Sequence, residues 1–177
     1  ISRVSVENAR SHASAAGVTD RIAHLVGDAE MNSFGDDSFD VITEYGALHH
    51  VDTEAVFAEM ARLLRPGGKA ICQEALGHNP IIYAYRRRTP HLRTEWEVEH
   101  ILRKESIDLA RRYFDHVEMG FYHLASLAAV PFRNTVIFRP LLSLLEGVDA
   151  VLLRLPFIKW QAWQVVFVPS GPRKSRC

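Results

Sequence analysis

Cysteine is scarce in this chain: two in 177 residues, Cys72 inside an apolar run and Cys177 at the last position. That excludes a disulfide-stapled scaffold and leaves a reducing, cytoplasmic setting as the expectation. An excess of either charge is also absent, with 21 Lys and Arg against 21 Asp and Glu. Without a basic surplus there is no electrostatic footprint for nucleic acid, so no nucleic-acid partner is expected. Long apolar runs are missing too. The longest uncharged stretch, 119–132, has 14 residues and contains Pro131, whereas a spanning helix needs about 20. The chain does not open on a charged segment followed by an apolar one, so no signal peptide is read. Its first residue is Ile1 rather than Met, which predicts a fragment or a processed chain.

What is present is ordinary for a folded domain: 47% apolar and 24% charged residues. The length is enough to bury one core. Charge is unevenly distributed, however. Residues 1–120 carry 14 Lys and Arg against 19 Asp and Glu, and residues 121–177 carry 7 against 2. A basic, apolar final third is consistent with an anionic surface as partner.

Periodicity organises the chain into alternating helices and strands. Val4, Val6, Ala9, Ala13 and Ala16 recur at roughly helical spacing, with Gly17 as the stop. Strands are predicted at Ile22 to Val26, Phe39 to Thr43 and Lys69 to Leu76. Asp52 is the expected cap of a helix whose apolar stripe is Val56, Phe57, Met60, Leu63 and Leu64, halted by Pro66-Gly67-Gly68. A helix over about 104–113 and a strand from Val117 to Leu124 follow. Leu141, Leu144, Leu145, Val148, Val151, Leu152 and Leu155 then mark an amphipathic helix. A last strand, Trp163 to Val168, precedes a basic tail expected to be disordered. Strands separated by helices imply a parallel sheet covered on both faces, with ligands at the carboxyl ends of the strands. Asp28, Glu44 and Glu74 fall at or beside those ends.

Five blocks give the pattern a family likeness: Gly27-Asp28-Ala29, Phe39-Asp40-Val41-Ile42, Thr43-Glu44-Tyr45-Gly46, Leu48-His49-His50 and Leu64-Arg65-Pro66-Gly67-Gly68. In that order and spacing, over about residues 1–76, they resemble class I S-adenosylmethionine-dependent methyltransferases of the type 11 kind. The resemblance implies an α/β fold: a doubly wound, mostly parallel Rossmann-like methyltransferase sheet, its first two strands missing, with a helical insertion before the last strand. It implies S-adenosylmethionine as cofactor and a small-molecule acceptor. Gly27, Asp28 and Ala29 would meet the adenine, and Glu44, Tyr45 and Gly46 the methionine end. His50, Glu74 and His78 are the candidate bases for the acceptor. The family's glycine loop has no counterpart in the chain, so the 177 residues alone are expected to be poorly stable and unable to hold cofactor.

The division expected is a partial methyltransferase domain over 1–124, with a substrate lid at 77–104 and Arg86-Arg87-Arg88 on a solvated face or gripping an anionic substrate. The amphipathic insertion is 125–160, the last strand 161–170 and the basic tail 171–177. The insertion is expected either to pack on the core or to touch a membrane as a peripheral element giving access to a lipophilic acceptor. Nine histidines raise the question of a metal. No His and Cys set has zinc spacing, and the side chains of adjacent His49 and His50 are expected to point apart, so no metal site is predicted. Two other readings stand beside the enzyme. One is a non-catalytic methyltransferase-like fragment. The other is a nicotinamide-dependent oxidoreductase, which an antiparallel last strand beside the Lys69 strand would exclude.

Overall fold

The computed structural model describes residues 3–89 and 101–174. The part of the expected lid from Pro90 to His100 and the end of the tail lie outside them. Helix α1 spans Arg3–Ala15, β1 Phe39–Tyr45, α2 Thr53–Leu63, β2 Leu64–Ala75 and α3 Pro80–Arg88. Helix α4 spans Lys104–Tyr113, β3 Phe114–Tyr122, α5 Phe138–Leu152 and β4 Gln164–Pro172. A 3-10 helix, Ala125–Phe132, precedes α5.

The four strands form one sheet in the order β1-β2-β4-β3. β1 and β2 are parallel, and β4 runs antiparallel to both β2 and β3. Three strands therefore share a direction, and the last to form in the chain is slotted between its predecessors against that direction. This is the insertion that excludes the oxidoreductase reading, and the α/β class expected from sequence is borne out.

Local chemistry explains the boundaries. Asp52 caps α2 as expected, its carboxylate accepting from the N–H groups of Glu54 (3.0 Å) and Ala55 (3.1 Å). Pro66-Gly67-Gly68 does not merely stop α2. It lies inside β2, which begins at Leu64 rather than Lys69. Gly67 adopts φ +82°, and a Cβ on Gly68 would stand 2.9 Å from the Arg65 carbonyl oxygen and 3.0 Å from that of Asp40. Glycine there lets β2 approach β1 closely, beside an irregular register between Phe39 and Val41.

The core lies on the sheet face covered by α2 and α4. Phe57, Leu64, Cys72, Leu76, Ile107, Phe114, Val165 and Phe167 are buried in one cluster, and Phe57 meets Phe167 edge to face at 6.1 Å. Each such side chain contributes roughly 1.5–3 kcal/mol by leaving water. The Cys72 thiol is free and held well above its usual range by burial, with the charges of Glu44 and Glu74 adding to the effect.

Two expectations fail. Ile22 to Val26 forms no strand, and Ile22, Leu25 and Val26 are exposed. A strand needs a partner for its backbone groups, and among the described residues none lies along the outer edge of β1 where a further strand would pair. The described part of the basic tail, residues 171–174, is ordered. The Lys174 ammonium donates to the carbonyl oxygens of Ala61 (2.8 Å), Arg62 (3.1 Å) and Leu64 at the end of α2, and pairs with Asp37 at 2.6 Å. Beyond β3, Asp149 of α5 is buried and accepts from the N–H groups of Leu124, Ala125 and Ser126 and from the Ser126 hydroxyl. Burial alone would raise its pKa, but those four donors outweigh it and hold the carboxyl below its usual range. One carboxylate thus joins α5 to the start of the 3-10 helix.

Candidate functional site

The parallel pairing of β1 with β2 brings Glu44 opposite Cys72 and Tyr45 opposite Gln73. Glu44 and Glu74 therefore reach the same carboxyl end of the sheet from adjacent strands. Both turn toward the loop 46–51. The Glu44 carboxyl accepts from the Ala47 N–H (2.5 Å). Glu74, nearly fully buried, accepts from the Leu48 N–H (2.7 Å), and the Nδ1–H of His49 donates to its other oxygen (3.0 Å). The loop is held to the strand ends by carboxylates that take the N–H groups of Ala47 and Leu48.

One oxygen of the pair is left over. Glu44 Oε2 is buried with no hydrogen-bond donor. Burial raises the Glu44 pKa to about 7, the Ala47 N–H opposes this, and the charge of Glu74 adds to the rise. The ionised form of Glu44 is disfavoured by both effects, so near neutral pH this carboxyl holds its proton for part of the time. A carboxyl titrating there can accept or release a proton at physiological pH.

The expected site residues divide. Glu74, Glu44 and Tyr45 meet at this strand end, with Gly46 (φ +64°) in the turn beyond. Ala29 joins Glu44 and Tyr45 in lining a cleft of about 370 Å³ along β1. Gly27 and Asp28 lie just before Ala29 in irregular backbone rather than at a strand end. Asp28 is exposed, and its carboxylate accepts from the Glu30 N–H at 3.0 Å. His50 is exposed and stacks on His49, ring centres 4.0 Å apart and tilted by 40°. The histidine rings thus lie together rather than pointing apart, yet among the described residues no three His, Cys, Asp or Glu are placed to hold a metal ion. His78 stands elsewhere: its Nε2 accepts from the Lys104 N–H (3.0 Å) at the start of α4, and its ring packs on Trp160. Burial lowers its pKa.

His49, not His50, is the histidine on Glu74. The doublet pointed to the place; which ring turns inward was decided by packing. Sequence also gave no sign of an apolar groove of about 350 Å³ between α3 and the 3-10 helix, lined by Ile81, Ile82, Tyr85, Val130, Pro131 and Trp163. Asn79 fixes this region, accepting from the N–H groups of Ile81 and Ile82 and donating to the Gln161 carbonyl. Trp163 is bonded to Leu76, two residues past Glu74. Arg86 is buried beside this groove, whereas Arg87 and Arg88 are exposed.

Residues 1–72 match the family model described as a methyltransferase domain. Over 61 residues the chain is 44% identical to a demethylmenaquinone methyltransferase of Mycolicibacterium paratuberculosis, covering 34% of this chain and 26% of that protein. Over 70 residues it is 40% identical to the methyltransferase GfsG of Streptomyces halstedii, covering 39% and 25%. The match therefore spans about a quarter of the length of these relatives. Among solved structures, the cyclase SpnF superposes with a TM-score of 0.59 at 16% identity, covering 98% of this chain and 64% of that one. The PH0226 protein of Pyrococcus horikoshii superposes with a TM-score of 0.56 at 19% identity, covering 98% and 69%. The family resemblance is borne out by the first match, and the fold by the last two.

Proposed function

We propose, taking residues 1–72 as those of a class I methyltransferase domain, that this chain serves methyl transfer from S-adenosylmethionine to a small lipophilic acceptor. The observation that carries the reading is buried Glu74 with His49, and half-buried Glu44 beside them, set at the loop where the family match crosses the sheet's carboxyl end. The relatives' names supply the reaction class.

The residues present fit part of the cofactor. Asp28 and the N–H of Ala29 suit an adenine amine and ring nitrogen; Ala29, Glu44 and Tyr45 line one cleft, with Gly46 in the turn beyond, for the methionine end. When bound, S-adenosylmethionine brings a methyl group on a positively charged sulfur, already activated for displacement. The chain's own task is to orient the acceptor and hold its proton. The apolar groove ending at Trp163 suits the body of a lipophilic acceptor. Glu74 accepts from the Nδ1–H of His49 and so sets the orientation and tautomer of that ring. Glu44, near pH 7, is a proton acceptor. His78, with Nε2 already occupied by Lys104, is a positioning residue here.

The open edge of β1 and the unformed strand at 22–26 favour the non-catalytic reading instead. Calorimetric titration of the full-length natural protein with S-adenosylmethionine separates the two. Saturable binding, with methyl transfer that Glu74→Gln lowers by about 10²-fold or more, supports the enzyme. No binding by folded protein overturns it.

A further inference from the structure

Helix α5 buries one face and exposes another that is equally apolar. Its inner side carries Leu141, Leu142, Leu145, Asp149 and Leu152, shielded by the 3-10 helix. Its outer side carries Leu144 (66% exposed), Val148 (39%) and Val151 (64%). Ile137 and Leu155 extend that row beyond the helix ends, so the positions 137, 144, 148, 151 and 155 repeat at the spacing of a single stripe. Val136 (95% exposed) and Phe157 (87%) flank it. Single exposed apolar side chains are ordinary, but a continuous row of this kind marks an interaction surface.

Charge indicates what the surface meets. Residues 125–160 contain Arg133, Arg139, Arg154 and Lys159 against two acids, Glu146 and Asp149. Asp149 is buried and consumed in capping, which leaves Glu146 as the one exposed acid of the segment. Arg133, Arg139 and Arg154 are exposed and form no ion pair with any described residue. A second copy docked by two-fold symmetry would bring the same arginines toward their counterparts, and like charges so placed repel. An anionic lipid surface accepts both components, the phosphates meeting the arginines and the acyl boundary the apolar stripe. No helix among the described residues is long and apolar enough to cross a membrane.

We propose that α5 lies flat on an anionic lipid surface, with Ile137, Leu144, Val148, Val151 and Leu155 facing the acyl chains. Arg133 and Arg154, just beyond the two ends of the helix, contact the headgroup phosphates. The proposal is independent of methyl transfer, since neither cofactor nor acceptor enters it. Co-sedimentation with vesicles tests it, comparing equal parts phosphatidylglycerol and phosphatidylcholine with phosphatidylcholine alone. The protein is expected to pellet with the anionic vesicles and to stay in solution with the neutral ones. Leu144→Gln with Val151→Gln is expected to weaken binding more than tenfold, and Arg133→Gln with Arg154→Gln roughly thirty-fold. Circular dichroism shows whether each variant keeps the native fold. Equal binding to both vesicle types, or none by folded protein, overturns the proposal. So does a dimer in sedimentation velocity that the Leu144 and Val151 changes dissolve.

Discussion

Residues 3–37 and the sheet region after them carry similar apolar patterning, yet only the second buries most of it. Helix α1 forms while the segment Ile22 to Val26, a few residues on, stays irregular. The difference is one of backbone accounting. A helix satisfies its N–H and C=O groups within itself, whereas a strand satisfies them only against a neighbour. β2 has β1 on one side and β4 on the other. Ile22 to Val26 has no such neighbour among the described residues.

The largest effect expected from that contrast comes from truncating one apolar residue in each region. Phe57→Ala opens a cavity beside Phe167 and is expected to cost about 3–5 kcal/mol in urea unfolding. Leu25→Ala, on an exposed side chain, should cost less than about 0.5 kcal/mol. Comparable losses at both sites would break the comparison, since they would place Leu25 in a buried environment.

The same contrast explains what was legible in the sequence. Elements whose signals are local were read nearly as they stand: the Asp52 cap, the Val56 to Leu63 stripe and α4. Glu44 and Glu74 were placed correctly at strand ends, because a period of two along each strand fixes which residues reach the edge. The rest depended on partners distant in sequence. Whether His49 or His50 turns inward is set by the position of the Glu74 carboxylate, 25 residues away. The Trp163 groove depends on α3 and the 3-10 helix facing one another. The order of the tail as far as Lys174 is not legible either, because composition cannot reveal that its ammonium meets the final carbonyls of α2.

A subtler effect separates the covered end of β1 from its exposed edge. Glu44 has a folded pKa near 7 against an ordinary carboxyl value of 4.5, chiefly through burial. The folded chain then holds a proton that the unfolded chain has released. Stability contributed by that proton is fully present below about pH 4.5 and declines until the pH passes about 7. Glu44→Gln mimics the protonated group at every pH. Thermal melts of both proteins from pH 5 to 8 are expected to diverge, the variant gaining relative to the parent as pH rises. Parallel curves would mean that burial does not raise the pKa of the Glu44 carboxyl.

The smallest effect concerns the join between the two regions. Lys174 pairs with Asp37, in the turn before β1, while its ammonium covers the carbonyl oxygens closing α2. A cation there complements the negative end of the helix dipole, which is worth about 0.3–1 kcal/mol and is screened by salt. Lys174→Met keeps the aliphatic stem and removes the charge. It is expected to lower stability by that amount in dilute buffer, and by less in molar salt, when urea unfolding is followed in both. A cost unchanged by salt would assign the contribution of Lys174 to packing of its stem. The link between the 35–38 turn and the end of α2 would then rest on Arg62, whose guanidinium already bridges Asp36 and Glu59.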